Sequence, residues 1–356
     1  MKGLILAGGK GTRLRPLTYT GAKQLVPIAN KPVLFYAIED LVEAGITDLG
    51  IVISPETGDQ VKQAIGDGSR FGATVTYILQ PLPLGIAHGI RIAQDFIGDE
   101  PFIVFLGDNF IRGGIMPQVN AFREQAMDAQ IILYEMPDPS SMGVAVLADD
   151  GRVQRVVEKP RQFISPYAVI GIYMFTASVF EAVHTIKPSA RGELEITDTI
   201  QYLIDQGLNV RAHLLQEPWI DTGKMSDMLD ANRLILEVLD ARIEGDVDVN
   251  SKIVGRVVIE SGARIADSII RGPVIIGKNT RIEKAFIGPF TAIDHDCLIS
   301  QAEIENSIIL ESSHITNVRD RISDSLIGRF VAVHQSPPTP RTLKLMLGDH
   351  SQVGVL

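Results

Sequence analysis

The sequence predicts two architectures in series: an α/β doubly wound sheet over residues 1–240, then a parallel β-helix over residues 241–335. Three observations predict them. Short, continuous apolar runs alternate with amphipathic helical stretches through the first part. Branched apolar residues at about six-residue steps replace that alternation in the second part. The chain has 356 residues, too many for one ordinary core.

The first strand is read at Gly3–Ala7, and further strands at Leu49–Ile53, Thr74–Leu79 and Phe102–Leu106. Such runs fit a mostly parallel sheet covered on both faces. Pro32–Ala44 has Pro at its start, apolar residues on one face and Gly45 just past its end, which are helix start and stop signals. A late strand is expected at Val210–Leu215 and a helix at Met225–Leu239. Ligands of doubly wound sheets bind at the carboxyl ends of the strands.

After residue 244 helical periodicity stops. Ile253-Val254-Gly255-Arg256-Val257-Val258 and Val274-Ile275-Ile276-Gly277-Lys278-Asn279 are two of several hexapeptides that agree in phase. Each places one branched side chain inward, to stack on the next coil. Ser336-Pro337-Pro338-Thr339-Pro340 breaks the pattern, so residues 336–356 read as a Pro-rich linker and C-terminal tail.

Composition narrows the function. Apolar residues make up 45% and charged residues 21%, as in ordinary globular proteins. A net charge of −10 argues against a general nucleic-acid binder. No apolar run reaches the roughly 20 residues of a membrane span. The N-terminal run is too short for a signal peptide, and the single Cys297 excludes an internal disulfide, so a cytoplasmic setting is expected.

The chemistry starts at Leu6-Ala7-Gly8-Gly9-Lys10-Gly11-Thr12-Arg13-Leu14. Glycines let backbone N–H groups approach phosphates, and an arginine fork suits phosphate oxygens. The spacing matches neither the dinucleotide-binding glycine pattern nor the P-loop. Lys23-Gln24-Leu25-Val26-Pro27 and Asn30-Lys31-Pro32 follow. Together these stretches resemble the signature of the sugar nucleotidyltransferases. The Lys-Gln-Leu variant is similar to its thymidylyltransferase branch. The resemblance continues through Gln80-Pro81-Leu82-Pro83-Leu84-Gly85, Leu106-Gly107-Asp108-Asn109, Glu158-Lys159-Pro160, Arg191-Gly192-Glu193-Leu194-Glu195 and Trp219-Ile220-Asp221. Lys31-Pro32-Val33-Leu34-Phe35-Tyr36, Gly66–Gly72 and Leu347-Gly348-Asp349-His350-Ser351 bring the chain closer still to long-form glucose-1-phosphate thymidylyltransferases. That group has a Rossmann-like mixed sheet followed by a left-handed parallel β-helix.

The resemblance implies an in-line transfer in which glucose 1-phosphate attacks dTTP and pyrophosphate leaves. It implies Arg13, Lys23 and Lys159 as catalytic cations. Leu6, Gly8, Gly9, Gly11, Thr12, Gln24, Gln80, Gly85 and Asp108 would bind the nucleotide. Asn109, Gly143, Glu158, Lys159, Val169 and Glu193 would bind the sugar phosphate. Asp108 and Asp221 would hold Mg²⁺. Val157 stands where many relatives carry a second Glu before Glu-Lys-Pro, and Met142 occupies a place often aromatic. His88 reads as a structural helix-start residue, and Trp219 as core packing. Three alternatives stand beside this reading. One is use of UTP in place of dTTP. Another is an added acetyl transfer on the β-helix with His295 as base. The last is a regulatory subunit without activity. Parallel β-helices often associate, so a homo-oligomer is expected.

Overall fold

The computed structural model describes residues 1–335 together with Ser351 and Val353. The Pro-rich stretch, and the Leu347–Ser351 phrase apart from Ser351, lie outside the described residues. The chain divides into two compact units, one of Met1–Lys10 and Val33–Asp221, the other of Gly11–Pro32 and Thr222–Leu356.

In chain order the elements are β1 (Lys2–Leu6), a small ribbon of β2 (Pro27–Ile28) and β3 (Lys31–Pro32), α1 (Val33–Glu43), β4 (Asp48–Ile53), α2 (Gly58–Ile65), β5 (Thr74–Leu79), α3 (Ile86–Ile92), α4 (Gln94–Ile97), β6 (Phe102–Leu106) and β7 (Asn109–Ile111). Then come α5 (Met116–Glu124), β8 (Ala129–Glu135), β9 (Gly143–Leu147), β10 (Val153–Glu158), β11 (Tyr167–Phe175), α6 (Val179–Thr185), α7 (Ile196–Asp205), β12 (Val210–Leu215), β13 (Trp219–Asp221) and α8 (Met225–Leu236).

Nine strands form the main sheet, in the order β10-β9-β11-β6-β1-β4-β5, with β8 paired to β11 and β12. The half around β1 is parallel: Leu6 pairs with Val52 on β4 and with Leu106 on β6. β11 runs antiparallel to β6, and β9 and β10 continue antiparallel beyond it, so the sheet is mixed. The apolar runs are strands because both faces are covered: Leu4, Val52, Phe102 and Val104 are fully buried in one core. Phe102 stacks on Phe180 of α6 at 5.9 Å between ring centres. Two motif phrases meet on this unit's surface, where the Arg70 guanidinium lies 4.3 Å over the Phe35 ring. β5 departs from the expectation of a strand covered on both faces. It is the edge strand of the sheet among the described residues, and Leu79 at its end is 55% exposed. α8 stops one turn short of the expected Leu239.

The hexapeptide segments form three parallel sheets of two- and three-residue strands, as a left-handed β-helix requires. Ile259, Ile276, Ile282, Ile293, Ile299 and Ile315 are fully buried, or nearly so, in its core. The corners need left-handed backbone. Asp267, Lys284 and Gln301 occupy it at φ 47°, 50° and 51°, in successive coils. Asn279 donates to Asp296 one coil of 17 residues further on. In the same unit the α8 side chain of Asn232 accepts from the Ala29 N–H and donates to the Phe290 carbonyl, both at 2.9 Å. Asn30 donates to the Ile293 carbonyl at 2.7 Å. These bonds explain why Gly11–Pro32 groups with the coils. No helix among the described residues is long and apolar enough to cross a membrane.

Candidate active site

The sheet's parallel half delivers residues to one edge. β6 ends at Leu106, and Gly107-Asp108 turn the chain into β7. Gly107 packs tightly here, since a Cβ would meet the Leu34 methyl at 2.9 Å. β13 pairs antiparallel with β7, and Asp221 lies directly opposite Asn109. Directly opposed residues project to one face, with Cβ atoms roughly 4.5–5.5 Å apart. Asp221 therefore stands on the Asn109 face of the ribbon.

The Asn109 amide is oriented by its neighbours. Its Oδ1 accepts from the Trp219 indole N–H at 2.7 Å and from the Gly171 N–H at 3.3 Å. That leaves its Nδ2 to donate to Asp108 Oδ1 at 3.3 Å. Asp108 is 8% and Asn109 2% exposed. Trp219 also packs on Tyr134 of β8, 5.7 Å between centres. It is therefore more than core filling, because its N–H fixes the amide that holds Asp108.

Three strands assemble a second cluster. Gly143 on β9 pairs with Glu158 on β10 and with Val169 on β11. A Cβ on Gly143 would lie 2.6 Å from Thr197 Cγ2, so glycine lets β9 pack closely on Thr197 beside the Glu158 carboxylate. Glu158 accepts from Thr197 at 3.3 Å and from Arg191 at 2.9 Å, with the Lys159 ammonium 3.6 Å away. Arg191 also binds Glu195 at 2.8 Å and lies 3.7 Å from Glu193. Burial, with the charges of Glu195 and Glu158, raises the Asp198 carboxyl above its ordinary range. Lys159 itself sits at φ 43°, an uncommon conformation for a lysine, and its N–H is held by the Met142 carbonyl. The Arg191–Glu158 contact spans 33 residues and is not visible in the sequence. The four-residue spacing of Arg191 to Glu195 was the available signal.

A third cluster follows β5. Gln80 donates through Nε2 to His88 Nδ1 at 2.9 Å and to the Gly85 carbonyl at 3.3 Å. Gly85 is at φ 98°, and a Cβ there would strike the Leu194 carbonyl at 2.4 Å. The Leu84 carbonyl in turn accepts from Leu194 N–H at 2.8 Å, which ties this loop to Glu193 and Arg191. Gly8 completes the group, since a Cβ on it would come within 3.4 Å of Gln80 Oε1. Leu6 offers its carbonyl to the Gly107 N–H at 3.0 Å, and half-buried Gly9 follows Gly8.

Gly11, Thr12, Arg13, Lys23 and Gln24 belong to the second unit. Gly11 is left-handed at φ 62° and caps a short turn, Thr12–Leu14. A Cβ on Gly11 would lie 2.7 Å from Lys23 Cβ, so the turn carrying exposed Arg13 packs closely on the turn carrying Lys23. Gln24 is 1% exposed. In the β-helix, His295 meets Asp296 through Nδ1 at 2.7 Å and Glu311 through Nε2 at 3.2 Å.

Residues 2–238 match the nucleotidyl transferase family. The chain belongs to that family. A glucose-1-phosphate thymidylyltransferase of Streptomyces antibioticus is 51% identical over 356 residues, covering 100% of this chain and 99% of the relative. One from Streptomyces griseus is 49% identical over 355 residues, with the same coverage of 100% and 99%. The likeness therefore runs through the strand repeats as well. A Bacillus anthracis crystal structure, provisionally assigned as a glucose-1-phosphate thymidylyltransferase and containing sucrose, superposes with TM-score 0.63 at 36% identity. It covers 68% of this chain and 98% of that one. The family resemblance read from the motifs is borne out, as is the two-part fold.

Nucleotidyltransferases generally use a divalent metal. The donor set here fits one. Buried Asp108 precedes β7 and half-buried Asp221 lies opposite Asn109 on β13, and oxygen donors of this kind suit a hard cation.

Proposed function

We propose that the chain is a glucose-1-phosphate thymidylyltransferase that converts dTTP and α-D-glucose 1-phosphate into dTDP-glucose and pyrophosphate, a step of dTDP-sugar biosynthesis. The observation that carries the reading is the β7–β13 ribbon. It sets Asp221 opposite Asn109, the residue after Asp108, in a chain about half identical, end to end, to two thymidylyltransferases.

The phosphate of glucose 1-phosphate is an anion at neutral pH and needs no strong base. The task is to bring two anions together, so positioning and electrostatics dominate. Arg13 and Lys23 neutralise the triphosphate and the leaving pyrophosphate, with backbone N–H groups of Gly8, Gly9 and Gly11. Lys159 holds the attacking phosphate. Glu158 and Glu193 accept sugar hydroxyls, and Gly143 and Val169 offer backbone contacts. Gln80 and Gly85 read the base. Mg²⁺, held by Asp108 and Asp221, supplies positive charge for the phosphate oxygens when bound. The same reading makes the chain a cytoplasmic homo-oligomer.

The test is a pyrophosphate-release screen crossing four nucleoside triphosphates with several sugar 1-phosphates. Fastest turnover is expected with dTTP and glucose 1-phosphate. Preference for UTP would make the chain a uridylyltransferase, because thymine and uracil differ by one methyl worth only about 1–3 kcal/mol. No release from any pair would refute the transfer.

A further inference from the structure

Gln80 has two chemically opposite ends, and its surroundings determine which way they face. Its Nε2 points at the Gly85 carbonyl, 3.3 Å away, and a carbonyl accepts only. The second hydrogen of the same Nε2 points at His88 Nδ1, 2.9 Å away. An amide nitrogen has no lone pair to offer, so Nδ1 is the acceptor and the imidazole proton sits on Nε2. Burial, then Arg91, lowers the His88 pKa below 6.5, which keeps the ring neutral. His88 is 7% exposed in the first turn of α3, so its ring is held in place. With Nε2 doubly engaged, Oε1 faces the open side of Gly8, 3.4 Å from where a Cβ would stand.

We propose that His88 is a positioning residue that locks the Gln80 amide with its oxygen toward the base, selecting pyrimidines that carry an N3–H, thymine and uracil, over cytosine. The proposal rests on the reading of Gln80 as the base-contacting side chain. Thymine and uracil donate from N3 and so match an outward oxygen. Cytosine carries a lone pair at N3 and would oppose it. To suit cytosine the amide must flip. The flip turns Oε1 onto the Gly85 carbonyl and His88 Nδ1, two acceptors against one. A site that leaves partly buried polar groups mismatched rejects a ligand far more strongly than one that merely loses packing. His88 thus contributes to selectivity without touching the nucleotide.

The experiment compares wild type, His88→Leu and His88→Asn. Equilibrium binding of dTTP, UTP and dCTP is measured by calorimetry, and pyrophosphate release by initial rates. Wild type should prefer dTTP and UTP to dCTP. His88→Leu removes the acceptor while filling the space, and should shrink that preference by about tenfold or more, mainly through KM. His88→Asn restores an acceptor near the Nδ1 position and should recover most of the preference. An unchanged dTTP-to-dCTP ratio in His88→Leu overturns the proposal, as does an equal loss in both variants. A wild type indifferent between dTTP and dCTP overturns the base-reading role of Gln80 and this proposal with it. The expected binding ratios without pyrophosphate release would leave the selector standing and refute only the transfer reaction.

Discussion

In the α/β unit Asp108, Asn109 and His88 are 8%, 2% and 7% exposed, and their side chains bond to other side chains: Asp108 to Asn109, Asn109 to Trp219, His88 to Gln80. In the β-helix Ser268, Thr280, Ser307 and Ser313 are 2% exposed or less, yet each turns its hydroxyl onto backbone. Ser268 and Ser307 each bond a carbonyl two residues back in their own coil and receive an N–H from the next. Buried side-chain pairs orient a group for use, whereas buried hydroxyls on backbone pin one coil to another. Substitutions in the first set should therefore cost turnover before stability, and in the second stability before turnover.

The largest expected effect tests the catalytic half. Arg13 is exposed, so Arg13→Ala should leave the melting temperature unchanged. It should lower kcat by about 10²–10³-fold if it stabilises charge in the transition state. Near-normal turnover would remove Arg13 from the machinery and blunt the contrast.

Thr280→Val tests the structural half. The hydroxyl donates to the Asp294 carbonyl at 2.7 Å and accepts from the Cys297 N–H at 3.0 Å. Valine fills the space but strands both groups, at a cost of about 2–3 kcal/mol. Chemical denaturation should report the loss while kcat and KM at saturating substrates hold. A variant as stable as wild type would show that the coil does not need the hydroxyl.

Trp219→Phe lies between these extremes. It keeps the ring against Tyr134 and removes only the N–H to Asn109 Oδ1. The amide is then steered by Gly171 alone, and Asp108 is less firmly held. The expected losses are about tenfold in kcat and a raised Mg²⁺ requirement, with little change in stability. An unaltered Mg²⁺ titration would return Trp219 to the packing role its sequence context suggested.

What the sequence disclosed follows the same division. The isoleucine columns were legible because a hexapeptide repeat is local and each coil restates it. The strands Thr74–Leu79 and Phe102–Leu106 appear at the expected bounds because continuous apolar runs need no partner to be recognised. That Thr74–Leu79 closes the sheet was not legible, since strand order is long-range. The register setting Gly143 between Glu158 and Val169 was hidden for the same reason. So was the attachment of Ala29 to Asn232, 203 residues apart. The motifs included Trp219, and His88 read as a helix-start residue, but their bonds to Asn109 and Gln80 were hidden, because neither stretch of sequence states which side chain it will meet.

The smallest effect concerns His295, which sits between Asp296 and Glu311 in the β-helix. Burial alone would lower its pKa, but the hydrogen bond to Asp296 and the charges of Asp294 and Glu311 outweigh it and raise the pKa above 6.5. Arg329 bonds Glu311 at 3.3 Å from the other side and competes for that carboxylate. The folded state therefore binds this proton more tightly than the unfolded one. The resulting stability is fully present below 6.5 and drains away as pH rises through the raised value. The side chain is 45% exposed, so solvent screening holds the effect to a shift of roughly 1–3 °C. Wild type should exceed His295→Leu in melting temperature at about pH 6, and the gap should close toward about pH 8. A gap that widens with pH would mean that the neutral imidazole, and not the ion pair, is what the coil uses. His295 would then join the hydroxyls that serve the backbone.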